Sequence, residues 1–153
     1  MIPPEDLVLL DTDVLIRLVR GGDVGRRIDT ELALTERAER PLISIVTVGE
    51  IRAFSRKLEW GPQKRGRLDG LVRQLVVVDI RDDSVLERYA EIDHYSEREV
   101  KPARPLGQND MWIAACASVF DAHLITSDDD YDHLVPDYVR RIKVDPRTGE
   151  VRP

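Results

Sequence analysis

The sequence predicts an α/β domain in three layers, α/β/α, around a mainly parallel five-stranded sheet. Three observations carry this. Short apolar runs of strand length alternate with longer segments of helical spacing, without internal repeats or low-complexity tracts. Chain breakers fall between them, at Gly21-Gly22, Pro41, Gly61-Pro62 and the 101–107 stretch with its two prolines. The resulting order, β-α-α-β-α-α-β-α-α-β-β with a short turn or helix near Tyr131, is that of parallel strands joined by helical crossovers.

Strands are expected at 7–10, 42–46, 75–78, 123–126 and 139–144. The first and third are continuously apolar, the mark of strands covered on both faces. In the fifth, Ile142 and Val144 alternate with Arg141 and Lys143, which predicts a half-exposed edge strand. Helices are expected at 14–20, 26–38, 47–58, 64–74, 84–96 and 110–120. No linker divides the 153 residues, so one domain is assigned to 1–145 and a polar tail, expected to fray, to 146–153.

The single cysteine, Cys116, permits no intrachain disulfide and fits a reducing compartment. The apolar run at 7–10 stops at Asp11, far short of a signal-peptide core or a spanning helix. A soluble, cytoplasmic protein without a membrane partner is therefore expected. Against 29 acids stand 23 Lys and Arg, a formal charge of −6. That balance argues against holding nucleic acid by bulk charge, which needs many cations on phosphate.

In open α/β sheets ligands bind beyond the carboxyl ends of the strands, where strand order reverses. Residues just past each strand therefore carry the functional reading, and four are acids: Asp11, Glu50, Asp110 and Asp128. Each competes with a plainer role. Asp11 or Asp13 would cap the following helix; one cap needs one side chain, so Asp11 is assigned to the site and Asp13 to the cap. Thr47-Val48-Gly49-Glu50 has the form of a capping box. Yet Glu50 also lies about 60° from the centre of the face shared by Thr47, Ile51, Phe54 and Leu58, a boundary position that suits a ligand equally.

Asp110 follows Asn109, a good N-cap, and would there complement the positive end of a helix. The segment behind it, 111–117, is apolar almost all round, so a carboxylate at its start is not simply solvated. Of the acids after Ser127, Asp129 reads as solvated loop. Asp128, with Asp130 as the alternative, stands beside the hydroxyls of Thr126 and Ser127. Adjacent carboxylates repel unless something positive sits among them. Cys116, Trp60 and Trp112 read as packing. His94, His123 and His133 lack a Cys or His at zinc spacing, and Ser44 and Ser127 lack a nucleophile elbow.

Oxygen donors without His or Cys select a hard cation, Mg²⁺ or Mn²⁺, which shares itself with phosphate oxygens. One or two such ions can drive in-line hydrolysis of a phosphodiester. Here the motifs Leu10-Asp11-Thr12-Asp13-Val14-Leu15, Thr47-Val48-Gly49-Glu50-Ile51, Asn109-Asp110-Met111-Trp112-Ile113-Ala114-Ala115 and Leu124-Ile125-Thr126-Ser127-Asp128-Asp129-Asp130-Tyr131 carry a resemblance. In order and spacing the chain resembles the PIN-domain family, most of all its VapC-type toxin branch, over nearly its whole length.

The resemblance implies a PIN-like α/β/α domain with a Mg²⁺- or Mn²⁺-dependent ribonuclease site. Asp11, Glu50, Asp110 and Asp128 match the family's acidic quartet, Thr12 and Thr126 its usual hydroxyls, with Ser127 and Asp130 in support. It also implies an RNA substrate, a cognate antitoxin whose segment blocks the site, and commonly a homodimer. One departure is Ser127, where this branch often has Arg.

Two rival readings remain. Asp11-Thr12-Asp13-Val14 also resembles the start of haloacid-dehalogenase-type phosphatases, which would leave Glu50 and Asp110 idle. Alternatively the quartet survives on a catalytically silent domain that binds RNA or a protein partner. For RNA grip the candidates are Arg17, Arg20, Arg52, Arg56, Lys57 and the 98–104 loop, taken as a group. Setting aside the four acids leaves 25 acids against 23 bases. The charge deficit then lies largely in the site, and weak RNA binding without metal is expected.

Overall fold

In the computed structural model, which describes residues 2–153, the chain begins β1 (Val8–Leu10), α1 (Thr12–Arg20), α2 (Gly22–Leu32), β2 (Leu42–Ser44), α3 (Ile45–Lys57), α4 (Pro62–Arg73), β3 (Val76–Val78). It continues with α5 (Asp83–His94) running into a π-helical turn at Tyr95–Glu99, then α6 (Gln108–Val119), β4 (His123–Thr126), a 3-10 turn at Asp129–Leu134, β5 (Arg140–Val144) and β6 (Val151–Arg152). The sheet order is β3-β2-β1-β4-β5-β6, parallel except for the β5–β6 pair.

Alternation along the strands divides the interior into two cores. Val8, Leu10, Ile43 and Ile125 face a layer that includes Val14, Leu15, Ile28, Ile51 and Leu68, from α1 to α4. Leu9, Leu42 and Leu124 face Val85 and Ile92 of α5 and the apolar α6. Three layers follow, as expected.

The departures have local causes. The sheet has six strands rather than five, because the tail pairs instead of fraying: Lys143 registers with Arg152 and Val144 with Val151. Val151 N also donates to Glu31 Oε2 at 2.7 Å, which ties the tail to α2. Thus β5 is not an edge strand. The edge on the other side is β3, where Val77 is 39% exposed, so its continuous apolar run does not reflect cover on both faces. Gly21, with φ at 67°, turns the chain so tightly that α2 starts at Gly22, four residues earlier than expected. Gly25 lets the two helices approach: a Cβ there would lie 2.7 Å from the Arg17 carbonyl oxygen.

Candidate active site

Strand order reverses between β1 and β4, and the chain ends of these two strands meet there. Asp11 N donates to the Ile125 carbonyl at 3.0 Å, and Thr126 Oγ1 donates to Asp11 Oδ2 at 2.7 Å. Asp11 Oδ1 accepts from Thr12 N at 2.8 Å. Asp11 is therefore both the N-cap residue of α1 and a carboxylate fixed at the rim. The cap role expected of Asp13 is corrected: Asp13 lies in the first turn, and its Oδ2 accepts from Ser127 N at 3.0 Å and from the Ser127 hydroxyl. Ser127 thus clasps β4's exit to α1. Asp13 Oδ1 is buried without a hydrogen-bond partner among the described residues.

Glu50 arrives by a different local route from the capping box its sequence suggests. Helix α3 starts directly after β2, and Ser44 caps it, its Oγ accepting from Val46 N at 3.1 Å. Thr47 is buried within the first turn. Thr12 Oγ1 donates to Glu50 Oε1 at 2.7 Å and lies 3.0 Å from Thr47 Oγ1. A hydroxyl has one proton, so Thr47 supplies the proton of the second contact. The other Glu50 oxygen accepts from Asn109 Nδ2 at 3.2 Å. Asn109 is accordingly not the cap of α6, a position held by Gly107.

Asp110 projects from the first turn of α6, and its Oδ1 accepts from the hydroxyl of the fully buried Tyr131 at 3.1 Å. Asp128 caps the 3-10 turn through Asp130 N, at 2.9 Å, while its own amide donates to Thr126 Oγ1 at 3.0 Å. Carboxylate oxygens of Asp110, Asp128 and Asp130 lie within 4.8 Å of one another, so both Asp128 and Asp130 reach the cluster.

The rest of the turn is sorted by position. Asp129 stays exposed, as expected of a solvated acid, and pairs at the surface with Lys143, while Asp132 pairs with Arg141. The alternating cations of β5 hold the turn's other acids, so its charges are divided between β5 and the cluster.

Asp11, Glu50, Asp110 and Asp128 line one cleft of about 760 Å³. Burial, reinforced by the charge of Asp13, pushes the Asp11 carboxyl up to about 8 against the pull of its bonds from Thr126 and Thr12. Burial also pushes Asp110 up to about 6, opposed by the Tyr131 bond and aided by the charges of Asp128, Glu50 and Asp130. Among the grip candidates, Lys57 lines the cleft. Arg17 is bound to Asp13 and to the Pro146 carbonyl, Arg104 contacts the Asp129 carbonyl, and Arg52 and Arg56 point to solvent.

Sequence reasoning missed Thr47, Asn109 and Tyr131 as groups that hold these acids. For Tyr131 a signal was present: a hydroxylated aromatic directly after an acidic run, at the only position of 128–132 without a carboxylate.

A PIN domain family model matches residues 8–135. The chain belongs to the PIN domain family. Solved structures share this PIN fold over most of both chains. A chain of VapBC2 from Rickettsia felis, bound to a promoter DNA fragment, is 19% identical with a TM-score of 0.72, covering 91% of this chain and 99% of that one. For VapBC-1 from nontypeable Haemophilus influenzae the values are 20%, 0.73, 90% and 97%. For VapBC-5 of Mycobacterium tuberculosis, from a family of toxin-antitoxin systems, they are 25%, 0.63, 91% and 99%. No curated protein matches this PIN domain significantly in sequence. The phosphatase resemblance falls away: Asp13 is engaged by Ser127, while Glu50 and Asp110 face the cleft. Among the described residues no helix is long and apolar enough to cross a membrane.

Proposed function

We propose that this PIN domain is a Mg²⁺- or Mn²⁺-dependent ribonuclease that hydrolyses RNA phosphodiester bonds, the toxin of a type II toxin-antitoxin pair acting in the cytoplasm. The observation that carries this reading is the convergence of Asp11, Glu50, Asp110 and Asp128, from four separate segments, on one cleft. The toxin-antitoxin complexes that share the fold support a cognate antitoxin as partner; a homodimer is the assembly the family resemblance implies.

The donor set fits a hard cation. It offers oxygen alone, sets three carboxylates close together, and raises Asp11 and Asp110 in a way that a divalent charge would relieve. Asp11, Glu50, Asp110 and Asp128 would hold the ion, with Asp130, which lies close to Asp110 and Asp128, in support. When bound, such an ion polarises a phosphoryl oxygen and lowers the pKa of a coordinated water.

The chain's own groups prepare this. Thr126 joins Asp11 to the amide of Asp128, so one hydroxyl sets the spacing of two acids from different strand ends. Thr12 and Asn109 hold the two oxygens of Glu50, which fixes its plane. Tyr131 occupies Asp110 Oδ1 and leaves the other oxygen for a ligand.

The direct test is incubation of the purified chain with RNA in Mg²⁺, Mn²⁺ or EDTA. Cleavage and tight binding in either metal, both lost in EDTA, are expected; equal cleavage in EDTA overturns the reading. Tyr131→Phe keeps the ring and deletes the hydroxyl. It is expected to weaken Mn²⁺ binding by about tenfold, the lower end of what loss of a ligand's partner costs. Calorimetric titration checks this, with thermal unfolding showing that the core is retained.

A further inference from the structure

Beyond its carboxylates the cleft changes character. Its α3 wall is Val46, Gly49, Ala53 and Lys57, which follow at spacings of three and four residues on one helix face, with Phe54 beside Ala53. Phe54 is the aromatic residue of that lining and is half-buried. Trp60 meets its ring edge-on, with centroids 5.9 Å apart at 89°, and the Arg20 guanidinium lies over the ring at 5.6 Å. Along the helix axis Phe54 sits about 6 Å beyond Glu50, and Lys57 about 10 Å beyond it. Neither Arg20 nor Lys57 is ion-paired among the described residues, whereas Arg17 on the same helix as Arg20 is tied to Asp13.

We propose that Phe54, flanked by Arg20 and Lys57, is a nucleobase site, where the base adjoining the cleaved phosphate of a single-stranded RNA stacks. This rests on the nuclease reading. If the carboxylate end takes the phosphate, the remaining parts of the ester are a ribose and a planar base. An apolar wall with one aromatic ring and an overlying guanidinium rewards the base and not the sugar, because every base presents a π-face. The two cations without ion-pair partners match the flanking phosphates, which favours a polyanion over an apolar peptide in this groove. A base inside a duplex is already stacked on its neighbours, so an unpaired nucleotide is what this wall selects.

The test uses small probes that are not phosphodiesters: adenosine and cytidine monophosphates, in 5′- and 3′-phosphate forms, against ribose 5-phosphate. Each is titrated in Mg²⁺ into wild type, Phe54→Leu and Phe54→Tyr, with binding read by NMR and folding by thermal unfolding. Wild type is expected to bind at least one nucleotide roughly tenfold more tightly than ribose 5-phosphate, as base–aromatic stacking gives. Phe54→Leu erases that difference while ribose 5-phosphate binds as before, and Phe54→Tyr, which keeps a ring, preserves it. Equal affinity of wild type for nucleotides and ribose 5-phosphate overturns the base site alone, as does an equal loss for both ligands in Phe54→Leu. Absence of Mg²⁺-dependent binding by every probe overturns the base site and the phosphate-binding centre together.

Discussion

Asp11→Asn is expected to reduce metal-dependent RNA cleavage by more than about 100-fold, beyond the loss usual for a ligand's hydrogen-bonding partner, and at the same time to raise the melting temperature of the metal-free protein. The two effects have one origin. Asp11 is 5% exposed, and burial together with Asp13 pushes its carboxyl up to about 8, so its ionised form is costly in the absence of a cation. Asparagine removes that charge, offers its oxygen to Thr12 N, and can donate from its amide to the Thr126 hydroxyl oxygen, so both contacts of Asp11 keep a partner. A residue that only capped α1 would lose stability when changed and leave the chemistry alone. Cleavage assays and thermal unfolding on the same preparation check this; unchanged cleavage refutes the role of Asp11.

The second large effect concerns pH and metal together. Asp11 at about 8 and Asp110 at about 6 both lie above their ordinary value of 3.8. Between these limits the folded protein binds more protons than the unfolded chain, so metal-free stability is greatest in acid and falls as pH rises through the folded values. Carboxyls lowered by their partners, among them Glu31 and Asp145, act oppositely but in a window below their ordinary values of 4.5 and 3.8, and His133, lowered by burial, acts oppositely only below its ordinary 6.5, against two carboxyls raised further. In EDTA the melting temperature is therefore expected to decline from pH 5 to 8.5. Mg²⁺ competes with these protons, so its stabilisation grows over the same range. At about 100 times its dissociation constant a ligand adds roughly 2.7 kcal/mol, which is about 5–10 °C for a domain this size. A melting temperature in EDTA that is flat from pH 5 to 8.5 overturns the assignment.

The layers, the parallel core strands and the gathering of four acids at one rim were legible in the sequence, because apolar period and breaker positions report on burial and chain reversal. What was not legible depended on neighbours far along the chain. Val76–Val78 is apolar throughout and yet an edge, since the chain steps outward from β1 through β2 to β3 and then returns to add β4 on the other side of β1. Thr47 and Glu50 have the spacing of a capping box, but β2 passes into α3 so abruptly that Ser44 takes the cap. Asp129 is solvated as expected, but its counter-ion, Lys143, was not legible because it belongs to a strand that arrives later. Asn109 looked like a cap because its partner, Glu50, is 59 residues away. Local propensity identifies the element, while the partner that decides a polar side chain's role is fixed by topology.

The central place of β1 also governs when the protein becomes complete. Its pairing with β4, and the bond from Thr126 to Asp11, join residues 115 apart in sequence, and Val151 reaches back 120 residues to Glu31. During synthesis the first half can form β1, β2 and the helices over them, but no nascent chain shorter than 126 residues contains the hydroxyl that holds Asp11. Long-range closures of this kind come late in folding, since their loop entropy is paid before contacts repay it. The carboxylate centre is thus assembled late, and chains that terminate before Thr126 lack the hydroxyl that holds Asp11.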